Sequence, residues 1–255
     1  RLGRRAGRLE QGRFVVEGPQ AVREALAGPG LVELFAVRDR HPQLEHAARG
    51  RAVPITYVTE AVLGAMADTV TPQGVLGVAA LLAIPADRAL AGNPRLVAVL
   101  DAVADPGNAG TVLRTADAAG ADAVLFTDGS VDPHNGKCVR ASAGSLFHLP
   151  VSCGTSLSEA LVEVRRCGLQ VLATSAAGDV DLDDLVDEGA LSEPTAWLFG
   201  PEAQGLSDVA LAEADRRVRV PLYGRAESLN LAAAAAVCLY ASARALRAGQ
   251  RGARP

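Results

Sequence analysis

Hydrophobic and polar positions along this chain keep to two rhythms, one of extended segments and one of helices. Phe14-Val15-Val16 reads as a short strand and Glu17-Gly18-Pro19 as a turn. The helix after it puts Ala21, Val22, Ala25 and Leu26 on one face. Strands follow at 31–37, 53–58 and 74–82, with helices at His41–Gly50 and Glu60–Ala67 between them. Ile84 to Pro94 interrupts the pattern with two prolines and a glycine, the composition of a linker. Beyond it, RLVAVLDAV (95–103), AVLFTD (123–128), LQVLATSA (169–176), TAWLFG (195–200) and RRVRVPL (216–222) read as strands. Asp105 to Gly110 reads as a tight loop, and helices are expected near 111–119, 157–167 and 208–214. Strands alternating with helices predict an α/β fold in two parts, residues 1–88 and 93–250.

The chain ends in an alanine-rich helix expected to run to about Leu246, with Ser228 and Asn230 at its start. Ser and Asn accept the free N–H groups of a first turn. Ala232 to Ala236 give this helix so little bulk that another backbone or a flat ligand can lie close against it.

Composition narrows the picture less than the pattern does. The chain is 49% hydrophobic and only 4% aromatic, so its core is mostly Ala, Val and Leu. No uninterrupted apolar run approaches the ~18 residues of a membrane helix, so no membrane partner is expected. Cys138, Cys153, Cys167 and Cys238 lie far apart and form no C-x-x-C pair. That argues against a metal site and for reduced thiols in a cytoplasm. His134 and His148 stand alone and read as structural or solvated. The net charge of −4 does not mark a nucleic-acid binder, but five arginines fall within residues 1–13, among them Arg4, Arg5 and Arg13. A local basic surface is enough for phosphate. Lys137, the only lysine, and Arg140 fall beside an expected helix start, where cations suit a phosphate or carboxylate.

Three stretches carry the chemistry. Asn108-Ala-Gly110-Thr-Val-Leu-Arg114-Thr115-Ala116 is the first. Gly200-Pro-Glu202-Ala-Gln-Gly205-Leu206-Ser207 is the second, and Val220-Pro221-Leu222-Tyr-Gly224-Arg-Ala-Glu227-Ser228-Leu229-Asn230 the third. Together, in this order and at these wide spacings, they resemble the three signature motifs of the SpoU/TrmH branch of the SPOUT RNA methyltransferases. The resemblance spans roughly residues 13–248. Asn135, Lys137, Arg140 and Ser142 match a further stretch of that family. Phe14-Val-Val-Glu-Gly-Pro19 looks like the start of its small RNA-capturing domain.

The resemblance implies a C-terminal parallel-sheet domain closed by a deep trefoil knot, preceded by a small α/β domain of ribosomal-protein-like fold. It implies S-adenosylmethionine as cofactor, a homodimer, and methyl transfer to a ribose 2′-hydroxyl of RNA, ribosomal RNA before transfer RNA. Arg114 is the residue it implies assists deprotonation of that hydroxyl, either as base or as electrostatic stabiliser. Asn108, Glu202, Ser228 and Asn230 order the site around it. Thr174, Gly200, Gly205, Val220, Leu222, Ser228, Leu229 and Asn230 are the expected cofactor neighbours, largely through backbone groups. Arg4, Arg5, Arg13, Arg114, Lys137 and Arg140 are the expected RNA contacts. Three departures from the pattern, Ala203, Leu222 and Ala232-Ala233, touch none of the catalytic side chains. Two other readings stay open on the residues alone. One is a non-catalytic RNA-binding paralogue of the same fold. The other is a nucleotide-dependent oxidoreductase, against which the missing G-x-G-x-x-G speaks.

Overall fold

The computed structural model describes residues 1–28 and 30–252. Its first part is built from α1 (Arg5–Gln11), β1 (Arg13–Glu17), α2 (Pro19–Ala27), β2 (Leu31–Ala36), α3 (Pro42–Gly50), β3 (Ile55–Tyr57), α4 (Glu60–Met66) and β4 (Val75–Ala80). The four strands form a mixed sheet in the order β1-β4-β2-β3, in which β4 runs antiparallel to both neighbours. The stretch read as a linker holds a short helix, α5 (Ala86–Ala89), whose Ala86 and Ala89 are buried with Leu90. Proline and glycine mark the turns around α5, and burial of its apolar side chains holds the helix between them.

The second part contains β5 (Leu96–Leu100), α6 (Pro106–Ala119), β6 (Ala123–Thr127), α7 (Gly136–Ala141), β7 (Val151–Thr155), α8 (Leu157–Arg166) and β8 (Gln170–Thr174). It continues through β9 (Val180–Asp181), α9 (Leu182–Asp187), β10 (Thr195–Phe199), α10 (Asp208–Ala212), β11 (Arg216–Arg219) and α11 (Leu231–Gly252). Seven strands, paired in parallel throughout, lie in the order β7-β6-β5-β10-β8-β11-β9. Every residue of β5, β6 and β10 is buried, as expected of parallel strands covered on both faces. The register decides which side chain faces which layer. Ala98 and Leu100 lie beside Trp197 and Phe199 and face α6 and α11. Val97 and Val99 lie beside Ala196 and Leu198 and face α5, α8 and α10.

Helix α11 shows how packing overrides composition. Its segment Leu231–Ala248 has a mean hydropathy of 1.3 and is long and apolar enough to cross a membrane. This corrects the sequence expectation, which counted only uninterrupted runs; Arg244 and Arg247 break the run but not the average. In the fold, Leu231, Ala235, Cys238, Leu239, Ser242, Ala243 and Leu246 form one buried stripe at helical spacing. The fully buried Trp197 donates its indole N–H to Ser242 Oγ at 2.9 Å, tying α11 to β10.

The two sheets share one continuous core. Phe14 of β1 packs against His134 and Phe147, with ring centroids 4.8 and 6.1 Å apart. Arg8 of α1 is buried and reaches Asp132, at 2.9 Å from Nε and 2.7 Å from Nη2. Asp132 also accepts from the His134 N–H and meets its Nδ1, while His134 Nε2 accepts from Leu82 N–H at 3.0 Å. His134 is therefore structural, as the sequence suggested.

His148 is a second clasp. Its Nδ1 lies 2.7 Å from Asp117 on α6 and its Nε2 3.3 Å from Glu24 on α2. The Asp117 contact raises its pKa, partial burial opposes this, and Glu24 adds to the rise. A raised folded-state value means stability that is fully present below the ordinary imidazole pKa of about 6.5. That stability disappears as pH rises through the folded value. The melting temperature of the wild type should exceed that of His148→Ala in mildly acidic buffer. The gap should close toward alkaline pH; a pH-independent gap would assign His148 a packing role alone.

Candidate active site

In the sheet, β5 leads to β6 and β7 on one side, while β10 and β8 lie on the other. The crevice at the C-terminal ends of β5 and β10 is thus a topological switch point, where open parallel sheets bind ligands. Three loops meet at this edge. Thr174 Oγ1 donates to Leu198 O at 3.1 Å, Asp101 N–H to Phe199 O at 2.8 Å, and Ser175 N–H to Val218 O at 2.9 Å. These bonds place the ends of β5, β8, β10 and β11 side by side.

The first loop runs directly into α6, whose helix begins at Pro106 and not at Thr111. Asp105 caps it by accepting from Asn108 N–H at 2.8 Å, and Pro106 sits where a missing N–H is harmless. Asn108 is therefore in the first helical turn. The Asp-Pro pair was the signal in the sequence for this earlier start. Asp105 also accepts from Lys137 Nζ at 3.1 Å. The Asn108 N–H and Lys137 together hold its carboxyl below the usual range. Gly110 lets α6 touch α7, since a Cβ there would lie 2.4 Å from the Cys138 carbonyl oxygen.

The second loop turns sharply after β10. A Cβ at Gly200 would lie 2.7 Å from Leu206 N, and Gly205 takes a φ of +66°. Ser207 then caps α10. The turn directs Glu202 across to the first loop, where Asn108 Nδ2 donates to its Oε1 at 2.6 Å. The same oxygen accepts from Leu231 N–H at 3.3 Å. Residues 94 positions apart in sequence are so joined to the start of α11.

The third loop spans Val220 to Asn230. Asn230 caps α11, its Oδ1 accepting from Ala233 N–H at 2.8 Å. Ser228 is exposed and makes no hydrogen bond among the described residues, so only one of the two expected caps is used. Val220, Leu222, Gly224 and Leu229 line a largely apolar cavity of about 380 Å³ with Leu182 and Val237. Tyr223 donates its hydroxyl to Asp183 at its rim. Between Leu222 and Leu229 the backbone makes no hydrogen bond to the rest of the described chain. Apolar walls with free backbone donors and acceptors suit a planar heteroaromatic ring such as adenine.

Among the described residues Arg114, on the exposed side of α6, makes no ion pair or hydrogen bond. Lys137 and Arg140 are both paired: Lys137 to Asp105, and Arg140 Nη1 to Glu17 Oε2 at 3.3 Å. Arg4, Arg5 and Arg13 are exposed, around the buried Arg8. Sequence reasoning missed Arg8, Asp105 and Asp132.

A fully parallel sheet of this order, with three convergent loops at its C-terminal edge, is the architecture of the SPOUT RNA methyltransferases. The model of the SpoU rRNA methylase family matches residues 95–240, and that of the MRM3-like substrate binding domain matches residues 1–77. The chain belongs to the SpoU rRNA methylase family. Its class is that of RNA 2′-O-methyltransferases using S-adenosylmethionine. The chain is 36% identical over 233 residues to the 23S rRNA (guanosine(2553)-2′-O)-methyltransferase RlmP of Bacillus subtilis, covering 91% of this chain and 89% of that one. It is 30% identical to the 23S rRNA (uridine(2479)-2′-O)-methyltransferase of Streptomyces viridochromogenes, over all of this chain and 90% of that one. The AviRb SpoU methyltransferase from the same organism, in complex with AdoMet, superposes with a TM-score of 0.84 over 99% of this chain and 96% of that one, at 30% identity.

Proposed function

We propose that this protein transfers a methyl group from S-adenosylmethionine to a ribose 2′-hydroxyl of ribosomal RNA. The observation that carries the reading is the Asn108–Glu202–Leu231 connection, which draws all three motif loops to one switch point. Relatives matched along nearly the whole chain act on 23S rRNA by name, which favours ribosomal over transfer RNA. Residues 1–88 would capture RNA and residues 93–250 carry the chemistry, in a cytoplasmic enzyme.

The cofactor, when bound, supplies a methyl on a sulfonium that leaves without acid assistance. Gly200, Gly205, Val220, Leu222 and Leu229 would hold it through backbone groups and apolar contact, with Thr174, Ser228 and Asn230 at the margins. The chain's remaining task is to position the ribose and to help the hydroxyl lose its proton. A guanidinium stays protonated in proteins, so Arg114 acts by stabilising the developing alkoxide and the neighbouring phosphate. Its exposure fits a homodimer in which it completes the partner's site. Val237 and Tyr240, exposed on α11 beside the small residues 232–234, offer the apolar surface for that dimer. Threading of α11 as a trefoil knot belongs to the same reading.

The test is methyl transfer from labelled cofactor to unmodified 23S rRNA transcript, with the product mapped to a nucleotide. Asn108→Ala and Glu202→Ala should each lower kcat/KM by about 10- to 100-fold, the scale of a hydrogen bond to a charged group. The double variant should be scarcely worse than the poorer single one, because both remove the same link. Additive losses would show that the two residues act separately.

A further inference from the structure

A second pocket lies where the four-stranded sheet and α4 meet α7, apart from the three motif loops. Its volume is about 230 Å³. That is below the ~300–1,000 Å³ of sites that enclose drug-sized ligands, so it has room for a base and not for a whole nucleotide. Leu63 and Leu76 give it a buried apolar floor. Thr69, Thr71 and Gln73 stand around it, and among the described residues none of their side chains makes a hydrogen bond. Arg140 closes one wall, with a single N–H used on Glu17. Apolar surface with free amide, hydroxyl and guanidinium groups is what reads the edge of an unpaired base.

Its place in the fold points the same way. Lys137 reaches Asp105 beside the first motif, and Arg140, three residues further along α7, reaches the pocket. The short helix α7 thus touches both the start of α6 and the pocket. A second cation rims it. Arg40 packs over Gly74, next to Gln73.

We propose that this pocket receives one unpaired base of the RNA substrate, adjacent to the nucleotide that is methylated. The inference rests on the reading of the protein as an RNA methyltransferase and adds the subsite that orients its substrate. Gln73, Thr71 and Thr69 contact the base edge, and Leu63 and Leu76 its face.

The experiment uses full-length Gln73→Ala and Thr71→Val with unmodified 23S rRNA transcript. Both side chains are exposed, so unchanged melting is expected. Filter binding gives RNA affinity, and initial rates give kcat and KM. Gln73→Ala should weaken binding and raise KM about tenfold, with kcat and cofactor affinity unchanged. The slope of log affinity against log salt should stay at its wild-type value, because neither side chain carries a charge. Wild-type affinity and KM in both variants would overturn the proposal. A wild-type protein that binds this RNA but never methylates it would remove the catalytic reading alone, the binding results still deciding the pocket. A wild type that binds no RNA would remove both.

Discussion

Arg114→Ala is expected to lower methyl transfer by about 10²–10³-fold, the effect of removing one preorganised electrostatic stabiliser from a reaction centre. Cofactor affinity should hardly move, because Arg114 stands on the exposed side of α6 and not in the loops proposed to hold the cofactor. RNA affinity should fall only modestly. A charge-stabilising role also predicts that Arg114→Lys recovers part of the lost rate, since the cation is kept while the bidentate geometry is not. Single-turnover rates of methyl transfer, with calorimetric titration of S-adenosylmethionine, would check both points. Turnover at the wild-type rate in Arg114→Ala would take this residue out of the mechanism. Equal loss in the Lys variant would require the fork of the guanidinium and not its charge.

The largest expected effect on folding is at Asp132. Arg8 is 3% exposed, and Asp132 is its partner through two short hydrogen bonds. Asp132→Ala leaves a buried guanidinium with only the carbonyls of Leu2 and Gly3. Breaking one side of a buried pair costs about 3–5 kcal/mol. That is a sizeable fraction of the roughly 5–15 kcal/mol that holds a typical domain folded. The double variant Arg8→Met with Asp132→Ala should recover much of the loss, because no unpaired charge remains. Burial pushes the Asp132 pKa up, but hydrogen bonds from His134 and Arg8 outweigh it and hold the carboxyl well below its ordinary range. A lowered folded-state value gives stability present above the ordinary carboxylate pKa of about 4 and lost as pH falls further. The wild type should therefore lose part of its advantage over the variant in strongly acidic buffer. Urea melts of the three proteins at neutral and acid pH would measure this.

Arg114 and the Arg8–Asp132 pair differ in how far the sequence announced them. Arg114 sits inside a motif whose neighbours are all local, so a linear pattern suffices to find it. Arg8 is one of five arginines in the first thirteen residues, and nothing in the chain around it separates it from Arg4 or Arg5. Its burial depends on Asp132, 124 positions away. Lys137 and Arg140 show the same limit in the other direction. The sequence marks them as free cations beside a helix start, whereas packing of α7 between α6 and β1 gives each an acidic partner.

What the sequence by itself determined was the class of most elements, though not of α1, α5, β7 and β9, and the identity of the three motif loops. Side-chain periodicity, proline, glycine and capping residues act over a few positions, and those preferences survive in any tertiary setting. The start of α6 was equally present, in Asp105-Pro106. What only the tertiary structure decided was adjacency. The placing of β10 between β5 and β8 creates the switch point, and it brings Glu202 onto Asn108 and the first turn of α11. It also turns an alanine-rich helix of membrane-like hydropathy into a core helix held by Trp197 and Ser242. Strand order follows from burying both faces of one sheet at once. That is a property of the whole chain, and no local window of residues contains it.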